Sequence, residues 1–240
     1  ELYDNFKIDA WMFDSSQKQY VSATGKLRYM GTSNPLGATS PDIVLMSAQY
    51  ARGNRENSGV LERSSTVLPD LLIVDEAHSA RVSKGLDGKP HKTRMYSMLQ
   101  AVSSRIPHMI LATATPMQKD VEEYHSILKL LGLPKIWQKK RAYLESLRII
   151  SQSEAPSAPD AYSTANLLIK TIKDMTPSLR TLDEDEKSFL QELLKKKDEL
   201  DQYELGCYVQ SHWKELHGAF IKLHPAQLLT VRNTRRSLEQ

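Results

Sequence analysis

Short apolar runs recur through the first half of the chain, and each one ends in polar residues. Ile8 to Asp14 reads as a strand following the tail of a helix over Glu1 to Phe6. Ile43 to Met46 leads into Ser47, Leu71 to Val74 leads into Asp75 and Glu76, and Met109 to Ala112 leads into Thr113. Unbroken, partly β-branched runs of this kind fit parallel strands covered on both faces. Between them the period changes to that of a helix. Met95, Met98, Leu99, Val102 and Ile106 share one face; Met117, Val121, Tyr124, Leu128 and Leu131 share another, introduced by Pro116 and closed by Gly132 and Pro134. Ala48 to Arg63 predicts a helix with an irregular middle at Arg52-Gly53-Asn54, and residues 25 to 41 a loop.

Beyond Lys135 the pattern is helical throughout. A helix over 135 to 150 is followed by the linker composition of Ser151 to Pro159. Ala165, Leu168, Ile169, Ile172 and Met175 form the next face, ended by Pro177. Thr181 and Glu184 have capping-box spacing before a charged helix running to about Tyr203. Val209, Trp213, Leu216, Phe220 and Leu223 make a last apolar face. Two domains are expected, an α/β lobe over 1–134 and an all-helical extension over 135–240. The opening in the middle of an element predicts further chain upstream.

Strand, helix, strand, helix, strand, helix over 43 to 131 implies a parallel sheet with right-handed crossovers. Its strands would end at Ser47, Asp75 and Thr113 on one edge, where open α/β sheets bind ligands. Adjacent carboxylates there can divide the work of a hydrolytic nucleotide site. Asp75 can hold magnesium, largely through its waters, and Glu76 can orient the attacking water. Taken alone, the pair also suits a plain strand end at which Asp75 caps a helix.

Composition narrows the classes. The chain has 240 residues, 40% hydrophobic and 25% charged, with 32 Lys and Arg against 29 Asp and Glu. That slight positive excess permits nucleic-acid contact without requiring it. The segment Ser79 to Thr93 is a basic loop by composition, with Arg81, Lys84, Lys89, Lys92 and the adjoining Arg94 against Asp87. It could track a phosphate backbone or simply keep the surface soluble. Cys207 is the single cysteine, so no internal disulfide forms and a reducing, intracellular setting is expected, cytoplasmic and nucleoid-associated in a bacterium or nuclear in a eukaryote. No apolar stretch approaches the roughly twenty residues of a membrane span. His212 and His217, five apart, do not align as a zinc pair on a helix. Thr24-Gly25-Lys26 fails as a phosphate loop, because Tyr20 stands where the first glycine belongs and Leu27 where Ser or Thr belongs.

The acid segment Asp75-Glu76-Ala77-His78 and the segment Thr113-Ala114-Thr115-Pro116-Met117-Gln118 resemble motifs II and III of superfamily-two helicases and translocases. The Pro-Met-Gln ending resembles the Swi/Snf-type branch, and Val231-Arg232-Asn233-Thr234-Arg235-Arg236 resembles a segment of its RapA-like members. The resemblance is dense over 42 to 131 and returns at 224 to 238. It implies a RecA-like lobe of the P-loop NTPase type, here without its phosphate-loop strand, and an ATP-dependent translocase or remodeller of nucleic acid, duplex DNA foremost. ATP and magnesium are the implied cofactors, with Asp75 on the metal, Glu76 on the water and His78 sensing the nucleotide or linking the lobes. Thr113, Thr115 and Gln118 would couple nucleotide state to nucleic acid. Ser47 falls at motif Ib, near the nucleic-acid backbone, although it could equally just end its strand. Arg235 and Arg236 are further candidates for phosphate contact, while Arg232 could instead fix packing. The rest of the motor, an upstream phosphate loop and a second RecA-like lobe, is an implied partner, and the helical extension could hold a protein. A reading from another class is a non-catalytic helicase-like scaffold or binding module that has lost its phosphate loop.

Overall fold

The structure, a computed structural model, describes residues 2–30, 34–54, 57–85, 88–114, 121–152, 154–174 and 182–229. The chain divides into two compact units, Glu1–Leu130 and Leu131–Gln240.

The first unit is mixed α/β. After α1 (Leu2–Phe6) come β1 (Trp11–Asp14), β2 (Gln19–Ser22), β3 (Leu27–Tyr29) and β4 (Val44–Leu45), in the sheet order β3-β2-β1-β4. Asp14 closes the first hairpin, its Oδ1 accepting from the backbone N–H of Ser16 at 2.8 Å and of Gln17 at 3.1 Å. These hydrogen bonds hold the Asp14 carboxyl below its ordinary value, with the Ser16 hydroxyl the largest contributor. Helix α2 (Ala48–Ala51), β5 (Leu71–Val74), β6 (Val82–Lys84), β7 (Pro90–Lys92), α3 (Arg94–Val102), β8 (His108–Leu111) and α4 (Val121–Leu130) follow. β5 and β8 pair in parallel, Leu71 opposite His108 and Val74 opposite Leu111. β6 and β7 form an antiparallel hairpin.

The loop expected over 25 to 41 carries β3, since Leu27 to Tyr29 ladder against β2, and three further expectations change here. Among the described residues, the strand at 43–47 does not join the two downstream strands. Only Val44 and Leu45 are laddered, and they pair in parallel with β1, which the Trp11 N–H reinforces by donating to Ile43 O at 3.0 Å. The helix expected over 48 to 63 stops after one turn, because the chain turns back at Gly53. That residue has a φ of +66°, and a Cβ there would run into the carbonyl of Asn57. A 3₁₀ turn at Val60–Glu62 resumes the path. The segment expected as a loop at 79 to 93 carries the β6–β7 hairpin, since Val82 and Ser83 find Lys92 and His91 across it.

The core of this unit forms on α3. Met95, Tyr96, Met98, Leu99 and Val102 pack with Leu61, Val74, Ala77, Ala80, Ile106 and Leu130. Each large aliphatic chain buried this way contributes about 1.5–3 kcal/mol. Because Val74, Ala77 and Ala80 belong to this cluster, the acid segment between them is anchored at both ends.

The second unit is helical: α5 (Lys135–Gln138), α6 (Lys140–Ile150), α7 (Ala158–Asp174), α8 (Glu184–Glu199), α9 (Gln202–Ser211), α10 (Trp213–Leu223) and α11 (Pro225–Leu228). The face Ala165, Leu168, Ile169 and Ile172 is buried, as its spacing predicts, and Met175 lies outside the described residues. The capping box sits two residues later than expected. Asp183 and Glu186 open α8, and an unforeseen second box, Asp201 with Glu204, opens α9. Each box satisfies two helix-end donors reciprocally, so what looked like one long charged helix divides at Leu200. Val209, Trp213, Leu216, Phe220 and Leu223 are all buried, but across two helices that meet at His212.

The histidines of this unit serve helix ends. His217 Nε2 donates to the Ile149 carbonyl at 3.1 Å, near the end of α6. His224 Nδ1 accepts from Ala226 N–H at 3.2 Å, so the ring proton sits on Nε2 and is donated to Ser146 Oγ at 2.8 Å. Trp137, Tyr143 and Phe220 surround that ring. Burial pushes the His224 imidazole down to about 4. No helix among the described residues is long and apolar enough to cross a membrane.

Candidate functional site

The parallel ladder of β5 and β8 continues one step past the strands. Ala112 N–H donates to Val74 O at 2.8 Å, and Ala77 N–H donates to Ala112 O at 2.9 Å. Asp75 and Glu76 therefore bulge out of the ladder as a two-residue loop closed against the other strand. To return to that bond, Glu76 adopts a left-handed backbone, φ 50° and ψ 44°. This conformation is costly for a residue with a Cβ and is concentrated at functional sites. Glu76 N–H donates to Asp75 Oδ1 at 2.8 Å, while Asp75 Oδ2 makes no hydrogen bond among the described residues and the side chain is exposed.

A 3₁₀ turn over Ala77–Ser79 then swings His78 back toward the strand ends. Glu76 Oε2 lies 3.0 Å from His78 Nδ1. The same nitrogen lies 3.4 Å from the Thr113 hydroxyl, just beyond β8. A carboxylate facing Nδ1 requires a proton there, so Nδ1–H donates to Glu76 and the Thr113 oxygen accepts a weaker share. One ring thus joins the acid segment to the threonine segment.

Ser47 is placed elsewhere. It caps α2, accepting from Tyr50 N–H at 3.2 Å, and its own proton remains available to donate. It lines an open cavity of about 730 Å³ together with Arg52, Asn54, Asn57, Arg63 and Arg94. Glu62 neutralises Arg94 there. The Arg63 guanidinium stands 5.9 Å over the Tyr50 ring. Thr115, Gln118, Arg232, Arg235 and Arg236 lie outside the described residues.

One residue with a central place was not singled out from the sequence. Thr93 Oγ1 donates to Ser79 O at 2.9 Å and accepts from Arg81 N–H and from Tyr96 N–H, each at 3.2 Å. It ties the end of the acid turn, the base of the hairpin and the start of α3 into one joint. A threonine immediately before a periodic apolar face is an N-cap signal, so this role was open to detection.

Carboxylates, an imidazole and a hydroxyl gathered at the carboxyl ends of two adjacent parallel strands form a strand-end site of the α/β type. The chain belongs to the SNF2-related domain family, whose model matches residues 7–235. It is a Swi/Snf-type member with RapA-like character. Over 131 residues, 55% of this chain, it is 29% identical to the RNA polymerase-associated protein RapA of Yersinia pestis strain Pestoides F. The same figures hold for RapA of Yersinia pseudotuberculosis serotype O:1b. The matched region spans 12% of the length of these relatives. No solved structure matches the chain at a significant level.

Proposed function

We propose that this chain is the motif-bearing part of the first, RecA-like lobe of an ATP-driven translocase or remodeller acting on nucleic acid, duplex DNA foremost. The observation that carries this reading is the shared His78 nitrogen, which links the acid segment following β5 to the threonine segment following β8. Family membership supports the helicase-like class.

Each residue has a distinct task in this reading. Asp75 is fitted to magnesium: it is a hard oxygen donor with one oxygen unengaged, and magnesium sites use one or two carboxylates together with substrate phosphates. When bound, the ion offsets phosphate charge. Glu76 orients the attacking water and draws its proton. His78 holds the Glu76 carboxylate and reports its position to Thr113, from which Thr115 and Gln118 carry the nucleotide state toward nucleic acid. Ser47, in its arginine-lined cavity, and Arg235 and Arg236 meet backbone phosphates without reading sequence. The phosphate cradle and the second lobe are supplied by the rest of a longer motor. The helical unit is suited to a protein partner, as the name of the RapA relatives, RNA polymerase-associated, would accommodate.

The test is Glu76→Gln in the longer motor. ATP binding should persist while hydrolysis falls by about a hundredfold or more, because the water loses its orienting base. Residues 1–240 alone should hydrolyse ATP negligibly. Turnover by the variant at the unsubstituted rate would overturn the role given to Glu76.

A further inference from the structure

The β6–β7 hairpin leaves the acid turn directly, and just past its ladder Gly85 N–H donates to Lys89 O at 2.8 Å. β7 is exposed along its length. Lys92 projects from its end, donating to Gln100 Oε1 at 2.8 Å and lying 5.8 Å over the Tyr96 ring. Both partners are neutral, so they fix the ammonium in place without cancelling its charge. Helix α4, which follows the motif III segment, packs against β6 and brings up Lys129 in its last turn. Desolvation, and after it the charge of Lys92, lower the Lys129 ammonium below its ordinary value. Among the described residues, neither lysine has a carboxylate within ion-pair distance. Because α4 packs on β6 and β6 pairs with β7, the fold sets these two ammonium groups on neighbouring elements, where a bound anion would offset the charge of both.

We propose that the β6–β7 hairpin and the end of α4 form a polyanion-binding face, on which Lys92 and Lys129 grip phosphate groups of a single nucleic-acid backbone. This rests on the nucleic-acid reading above and adds to it a second contact surface, separate from the Ser47 cavity. A polyanion suits the face better than an isolated phosphate because the two cations stand on different elements and a chain of phosphates meets both. Binding there also has a route to the acid site. Thr93 joins the hairpin base to Ser79, one residue beyond His78. Phosphates held across hairpin and α4 would thus bias the elements that follow both motifs.

The test uses the 240-residue chain and a labelled DNA duplex, with anisotropy titrations at several salt concentrations. Lys92→Ala and Lys129→Ala should each weaken binding by about three- to tenfold and each reduce the salt slope by about one, as loss of one phosphate contact does. Lys92→Arg should retain most of the affinity, and Lys195→Ala on α8 should change neither quantity. In Lys92→Ala without DNA, the Lys129 ammonium should titrate at higher pH by NMR. Tripolyphosphate at equal phosphate concentration should compete weakly. Duplex binding by the unsubstituted chain with unchanged affinity and slope in both alanine variants would overturn this proposal alone. Full displacement of the duplex by tripolyphosphate would reassign the face to free polyphosphates. Failure of the unsubstituted chain to bind duplex would overturn this proposal together with the nucleic-acid reading.

Discussion

His78 Nδ1 lies 3.0 Å from a Glu76 carboxylate oxygen and 3.4 Å from the Thr113 hydroxyl, so a single nitrogen is shared between residues that follow two different strands. A shift of Glu76 toward another partner frees that nitrogen, and the Thr113 contact must readjust. On the proposed function, this arrangement would let the threonine segment sense what the acid segment binds.

Thr113→Val should break this link while preserving shape. In a longer motor, duplex-stimulated ATP hydrolysis should fall toward the basal rate by roughly fivefold, corresponding to about 1 kcal/mol of coupling, with basal hydrolysis little changed. Thr115→Ala should behave alike. Equal stimulation in variant and parent would remove motif III from the coupling path.

Thr93→Val should cost the first unit about 1–2 kcal/mol in urea unfolding, since the N-cap of α3 and the hydrogen bond to Ser79 disappear together. Thr93→Ser should recover most of the loss. If valine is as stable as threonine, the joint is not held by that hydroxyl.

The second unit should be sensitive to acid through His224. Its imidazole takes a proton near 6.5 when unfolded but only near about 4 when folded. The unfolded chain therefore gains the proton first, and stability falls as the pH drops through that window, by about 3 kcal/mol at 1.36 kcal/mol per unit. His224→Gln should flatten the pH profile. Ser146→Ala should lower the melting temperature at neutral pH, because Nε2–H loses its acceptor at a cost of about 1–3 kcal/mol.

Gly206→Ala offers a packing test. Its added Cβ would meet the backbone carbonyl of Ala158, the first residue of α7, and backbone cannot swing aside as a side chain can. Alanine normally favours a helix by about 1 kcal/mol over glycine. Overpacking of about 1–3 kcal/mol should nevertheless prevail here and lower the melting temperature.

What the sequence disclosed was whatever depends on local spacing. The ends of β5 and β8 and the buried faces of α3, α7 and α10 fall where apolar periodicity places them, because that period is set by nearest neighbours along the chain. Pairing across distance was less accessible. His78 and Thr113 are 35 residues apart, and their contact depends on a register that no local pattern encodes. Ser47 shows the converse. Its apolar run resembles those before Asp75 and Thr113, yet with only two laddered residues its partner was decided by the open edge of β1. The capping box at Asp183 was missed by two residues because the acidic run Asp183 to Glu186 offers overlapping matches to the same signature.

On the role proposed for Glu76, its left-handed backbone sets stability selection against function. Replacing Glu76 by glycine would relieve a conformation that costs about 1–2 kcal/mol while deleting the carboxylate. A library screened for heat resistance alone should therefore enrich the substitution that a screen for ATP turnover would discard. That opposition would identify the residue as functional without any ligand being present.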